Sequence, residues 1–128
     1  MSGNKGLLDS NVIIDASKGI ISTGDLINQY DYLYTSIISY VETLGYRFED
    51  AEEKELVLQI LSHVEIVDLN QQIADIAIEY RQRRKIKLPD ALVLATAKYI
   101  EAVLLTSDVA DFKNVDNSVR IVVPPKKR

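Results

Sequence analysis

Short apolar runs that stop at an acid, each followed by helical periodicity, constrain this chain more than any other feature. Lys5-Gly6-Leu7-Leu8 ends at Asp9, and Val103-Leu104-Leu105-Thr106 ends at Ser107-Asp108. Tyr32-Leu33-Tyr34-Thr35, Glu65-Ile66-Val67-Asp68-Leu69 and Val119 to Val123 have the same extended character, rich in β-branched and aromatic residues. Between the runs, apolar residues recur at helical spacing: Asn11–Lys18 with Val12, Ile13 and Ala16, a segment over Asp25–Gln29, Ile37, Val41 and Leu44 after Ser36, Glu49 to His63, Ile73, Ala77 and Tyr80 after Asn70, and Leu88 to about Ile100. Strands joined by helices predict an α/β fold with a mostly parallel central sheet and helices on both faces. Ligands of such sheets bind beyond the carboxyl ends of the strands, which is where Asp9 and Asp108 fall.

The punctuation agrees with this division. Ser22 or Thr23, Ser36 and Asn70 are placed as helix caps, Gly45 as a helix stop, and Pro89 in a first helical turn. Glu49 to His63 is acidic at its front and puts Leu56, Ile60 and Val64 in one apolar row, as expected of a surface helix. A length of 128 residues suits one domain, predicted over 1–123, followed by a loose basic tail, Pro124-Pro125-Lys126-Lys127-Arg128. Neither a membrane-spanning apolar stretch nor the layout of a signal peptide is present, which predicts a cytoplasmic protein without membrane association. With no cysteine and a single histidine, His63, disulfides, thiolate metal sites and cysteine or serine–histidine chemistry are excluded or disfavoured. Fifteen basic against nineteen acidic residues give a net charge of −4, the opposite of a dedicated duplex-DNA binder.

Four acids stand where charge is least expected: Asp9 and Asp108 at strand ends, Glu42 on a helix otherwise turned to the core, and Asp90 at a helix N-terminus. Taken alone, Asp90 is more often a cap than a ligand. A parallel α/β fold, however, brings all four to one rim. Carboxylates converging to about 4 Å in an effective dielectric near 20 repel by roughly 4 kcal/mol per pair, so the cluster calls for a cation. Hard oxygen donors without sulfur or imidazole select Mg²⁺ or Mn²⁺, the setting of metal-assisted phosphodiester hydrolysis. Asp15 reads as a solvated helix residue, and Asp111 as either a further ligand or a turn residue.

Four blocks in order, Leu7-Leu8-Asp9-Ser10-Asn11-Val12-Ile13-Ile14-Asp15, Ser39-Tyr40-Val41-Glu42-Thr43-Leu44-Gly45, Leu88-Pro89-Asp90-Ala91-Leu92-Val93-Leu94-Ala95-Thr96-Ala97 and Leu105-Thr106-Ser107-Asp108-Val109-Ala110-Asp111-Phe112, resemble the motifs of PIN-domain ribonucleases. The nearest resemblance is to the small VapC-like toxins of type II toxin–antitoxin pairs, over almost the whole chain. It implies a three-layer α/β/α PIN-like fold and a Mg²⁺- or Mn²⁺-dependent endoribonuclease with Asp9, Glu42, Asp90 and Asp108 as its catalytic and metal-binding acids. An RNA substrate, a cognate antitoxin and a homodimer are implied as partners. Ser10 stands where many relatives carry threonine, and relatives differ over whether the place of Asp108 or that of Asp111 is acidic. In this frame Ser10, Asn11, Thr106 and Ser107 become candidate outer-shell or phosphate-contacting groups, with turn and cap roles as the alternative.

The basic run Arg81-Gln82-Arg83-Arg84-Lys85-Ile86-Lys87 either meets RNA phosphates or is a solvated helix end. Tyr30, Tyr32 and Tyr34 alternate as strand residues do and are assigned to core or dimer packing, the dimer placed on the first helices and the segment Tyr30–Tyr46. Competing functions are a housekeeping PIN nuclease without antitoxin, a nonenzymatic PIN scaffold and a Mg²⁺-dependent phosphotransfer or receiver-like module. For the last, Asp9-Ser10-Asn11 lacks a second aspartate, and the strand-end lysine of a receiver is replaced by Asp108.

Overall fold

Neighbouring leucines on two strands face opposite ways, and all four are buried. In the computed structural model, which describes residues 3–127, Leu7 and Leu104 enter one apolar cluster while Leu8 and Leu105 enter another. A sheet buried on both faces needs cover on both, and the chain alternates accordingly: β1 (Lys5–Leu8), α1 (Ser10–Ser17), α2 (Thr23–Gln29), β2 (Tyr32–Ser36), α3 (Ile37–Leu44), α4 (Ala51–Leu61), β3 (Glu65–Val67), α5 (Gln71–Arg83), α6 (Leu88–Ile100), β4 (Val103–Leu105), α7 (Val109–Phe112) and β5 (Ile121–Val122). The strands pair in parallel throughout in the order β3-β2-β1-β4-β5. Helices α5 and α6 close the face reached by Leu7 and Leu104, with Ile73, Ala77, Tyr80, Val93, Leu94 and Ala97. Helices α1, α2 and α4 close the other, with Val12, Ile13, Leu26, Val57, Ile60 and Leu61. The expected three-layer α/β/α architecture is the one observed.

The caps are made as expected: Ser22, Ser36 and Asn70 accept from Asp25 N, Ser39 N and Ile73 N. Several local expectations are corrected. Tyr30 closes α2 rather than opening a strand, so it and Tyr34 pack on opposite apolar clusters instead of sharing a face. Along α4 the buried stripe is Val57, Ile60 and Leu61, and Leu56 is exposed, because α4 packs against α1 and α3 on the side one residue round the helix from the expected row. The basic tail is not loose over its described part: Lys126 forms a bridge with Ile21, and Lys127 N donates to Ile20 O at 2.7 Å. Arg128 lies outside the described residues. The single turn α7 has no counterpart in the periodicity. Among the described residues no helix is long and apolar enough to cross a membrane.

Candidate active site

Asp9 sits where β1 runs out and α1 begins. Its backbone N donates to Leu105 O of β4 at 2.9 Å, which locks the two central strand ends together, and its side chain is only 7% exposed. Oδ1 accepts from Ser10 N at 2.9 Å, while Oδ2 accepts from Thr106 Oγ1 at 2.8 Å and from Asn11 Nδ2 at 3.3 Å. The same Asn11 amide donates to Asp108 Oδ2 at 3.0 Å, its Oδ1 accepts from Ser107 N at 3.0 Å, and Asp108 N donates to Thr106 Oγ1 at 3.0 Å. Asn11, donating to both carboxylates, and Thr106, donating to Asp9 and accepting from Asp108 N, thus tie Asp9 to Asp108 through neutral groups.

Glu42 and Asp90 form the opposite wall. Glu42 stands on α3, exposed, two residues after an apolar turn that packs toward the core. Asp90 is the third residue of α6 and makes no cap; Lys87 takes that position without a side-chain hydrogen bond. The cap alternative for Asp90 therefore has no support in its contacts. Both walls line one cleft of about 350 Å³ with Asp9, Ser10, Asn11 and Asp108, at the carboxyl ends of the strands. Asp111, on α7, is absent from the lining but close enough to Asp90 to act on its charge.

The electrostatics record this crowding. Burial raises the Asp9 carboxyl above its usual value, and Asp108 adds to the rise, while hydrogen bonds from Thr106, Ser10 and Asn11 oppose it. Glu42 is raised by partial burial and then by Asp9, with the Ser10 hydroxyl opposing. Asp90 moves furthest, to about 6, through desolvation first and then Asp111, Asp9 and Glu42, against a weaker pull from Lys87. Repelling carboxylates with oxygen-only neighbours have the donor chemistry of a Mg²⁺ or Mn²⁺ site. Among the described residues no three of them stand close enough to share one ion. The donor set fits a divalent cation, but the convergence of all four acids expected from sequence is not reached, since no three of them gather at one point.

Of the basic run, none lines the cleft. Arg81 borders an apolar groove between α5 and α6, Arg83 lies 3.8 Å from Glu79, Arg84 and Lys85 are solvated, and Lys87 alone acts on a site residue, Asp90. Three lining residues were missed: Ile14, Asp15 and Tyr46. Asp15 had a usable signal, since it lies one helical turn beyond Asn11 on α1. Tyr46 follows the helix stop Gly45, where a Cβ would come 2.8 Å from Val41 O, so the turn that carries Tyr46 onto the cleft needs glycine.

A family model described as PIN domain matches residues 6–118. The chain belongs to the PIN-domain family. That family is one of nucleases, so the acidic cleft of this PIN domain lies where a hydrolytic site is expected. Its fold is shared with a chain of a toxin–antitoxin complex from Klebsiella pneumoniae at 27% identity, with a TM-score of 0.77, covering 95% of this chain and 99% of that one. VapBC2 from Rickettsia felis, bound to a DNA fragment from its promoter, is similar at 19% identity and a TM-score of 0.78, over 93% and 98% of the two chains. DNA-bound VapBC from Salmonella typhimurium gives 18% identity, a TM-score of 0.77 and coverage of 94% and 98%. The PIN domain is thus VapC-like in fold. No curated protein sequence matches the chain.

Proposed function

We propose that this PIN domain is a Mg²⁺- or Mn²⁺-dependent endoribonuclease acting as the toxin of a toxin–antitoxin pair. The observation that carries the proposal is that Asp9, Glu42, Asp90 and Asp108, far apart in sequence, line one cleft at the strand ends. Asp9 and Asp90 are assigned to hold the ion, with Glu42 and Asp108 completing its surroundings. When bound, the ion supplies an activated water and polarises the scissile phosphate. Asp108 is preferred to Asp111 as the fourth acid because it lines the cleft and shares the Asn11 amide with Asp9, whereas Asp111 acts on Asp90 from outside. Asn11 and Thr106 orient the two strand-end carboxylates, Ser10 lines the cleft beside Glu42, and Ser107 supplies a backbone N–H that holds Asn11; both serines are assigned to the surroundings of the bound phosphate. Lys87, the member of the basic run whose charge acts on Asp90, is assigned to draw the RNA backbone toward that residue, with Arg81, Arg83, Arg84 and Lys85 as a longer-range attraction.

The antitoxin partner is supported by the complexes in which the structural relatives occur. Beside the cleft an apolar groove lined by Ile14, Tyr46, Phe48 and Leu56 offers anchor points for a partner segment. A two-fold dimer accompanies this assignment, and sedimentation at tens of micromolar should show a species of twice 14.4 kDa.

The test is cleavage of bulk RNA by the purified chain with Mg²⁺ or Mn²⁺ and with excess EDTA, followed by induction in cells with and without the open reading frame immediately upstream. Metal-dependent cleavage, growth arrest and rescue by the upstream product are expected. Full cleavage in EDTA would overturn the metal assignment. Cleavage without arrest, or without rescue by a neighbouring gene, would replace the toxin with a housekeeping nuclease.

A further inference from the structure

Something other than the acids must hold a polyanion against them. Among the described residues lining the cleft, four are proposed metal ligands, Asp15 adds a fifth carboxylate, and no lysine or arginine is present. Charge alone therefore disfavours the substrate at the very place where it must be cut, and a contact that does not depend on charge is needed. The lining contains one aromatic residue, Tyr46. The residue is 41% exposed, yet its surroundings fix it: Phe48 meets it edge-on, with centroids 5.4 Å apart and planes at 62°, and its hydroxyl accepts from Lys18 Nζ at 3.2 Å. Lys18 lies 5.4 Å from the ring centroid and is exposed. A ring oriented in advance beside an exposed cation is the combination that holds single strands, with a base stacked on the ring and a backbone phosphate on the ammonium.

We infer that Tyr46 is a base-stacking platform for single-stranded RNA and that Lys18 binds the phosphate next to the stacked base. This subsite rests on the ribonuclease assignment and deepens it. It selects for an unpaired base beside the cut, because a base in a duplex has no free face to offer, and it tolerates any base identity, because every base has a π-face. Tyr46 also borders the apolar groove beside the cleft, so a protein partner seated there is the competing occupant.

Two arms test the subsite. In the first, kcat and KM are measured with Mn²⁺ on a short single-stranded RNA. Tyr46→Ala should lower kcat/KM by roughly five- to a hundredfold, through KM, while Tyr46→Phe, which keeps the ring, stays within about threefold of the wild type. An abasic nucleotide beside the cut should cost the wild type the same factor and cost Tyr46→Ala nothing more. In the second, anisotropy of a fluorescein-labelled single-stranded RNA is followed in EDTA. Tyr46→Ala should weaken binding by the same factor, Lys18→Gln should flatten the salt dependence by a slope of about 0.7, and Tyr99→Ala, an exposed tyrosine near the far end of α6, should change nothing. Thermal melts of the variants verify folding. Wild-type cleavage and binding in Tyr46→Ala would overturn the subsite, as would a loss confined to protein-partner binding. If the wild type cleaves no RNA, the ribonuclease assignment fails by itself, and the binding arm still decides whether Tyr46 stacks a base.

Discussion

On the strand-end wall of the cleft, Asp9 and Asp108 share the Asn11 amide as a donor, the Thr106 hydroxyl donates to Asp9 and accepts from Asp108 N, and Asp9 takes a backbone N–H as well. On the helical wall, Glu42 has the Ser10 hydroxyl nearby, and Asp90 receives no hydrogen bond among the described residues. The difference shows in the titration. Asp9 is the more deeply buried, but its bonds to Thr106, Ser10 and Asn11 oppose the cost of burying its charge. Asp90 is more open, yet its carboxyl is lifted to about 6 because nothing but Lys87 offsets desolvation and three neighbouring acids. One wall is organised in advance by neutral donors; the other stores repulsion that a cation would relieve. A site built this way has its geometry set by β1 and β4 and its unrelieved repulsion set largely by α6.

The largest effect should follow removal of the charge on the organised wall. Asp9→Asn keeps the side-chain shape and an oxygen for Ser10 N, and should lower the cleavage rate by more than about a thousandfold. Its melting temperature should equal or exceed that of the wild type without metal, because the charge it deletes is one that burial disfavours. A variant that retains a tenth of the activity would show that Asp9 is a scaffold residue.

Next comes the tie between the strand-end acids. Asn11→Ala leaves both carboxylates but removes the amide that bridges them, and should cost about 10- to 100-fold in activity, the usual range for a group that orients a ligand. Asn11→Asp should do worse, since it replaces the donor with a third carboxylate between two others. Equal activity in both variants would mean that the strand-end wall is organised by Thr106 alone.

The acids of the organised wall were legible because a charge that ends an apolar run has few reasons to be there; the strand ends and the parallel order followed from the same alternation. Glu42 and Asp90 were legible as members of the set but not in their contacts, since only the packing of α3 and α6 shows that neither caps nor pairs. Tyr46 gave no periodic signal, because it lies beyond Gly45 where helical spacing has stopped and its place depends on how the turn folds back over α1. Leu56 shows the limit from the other side: adjacent rows of α4 are both apolar, and only the packing of α4 against α1 and α3 decides which is buried. Lys126 and Lys127 are anchored by their backbone at Ile20 and Ile21, which side-chain composition does not encode.

The smallest effect tests the unbalanced wall by stability rather than activity. The carboxyl of Asp90 has a folded value of about 6 against an ordinary 3.8, so in the metal-free protein the folded state holds its proton more tightly than the unfolded state does. Below pH 3.8 the group contributes its full share of stability; between 3.8 and 6 that share is lost as the pH rises, and above 6 none of it remains. Because Asp90 is only partly buried, solvent screening reduces the loss to about 1 kcal/mol, or roughly 3–5 °C in melting temperature for a chain of this size. Asp90→Asn should therefore melt a few degrees above the wild type at pH 7 in EDTA, with the difference vanishing as the pH is lowered through this window. Saturating Mg²⁺ should raise the wild type and leave the variant nearly unmoved, because a ligand stabilises only the fold that binds it. A variant that melts below the wild type at pH 7 would place Asp90 as a stabilising acid in the first turn of α6, and the repulsion assigned to the helical wall would have to come from Glu42 alone.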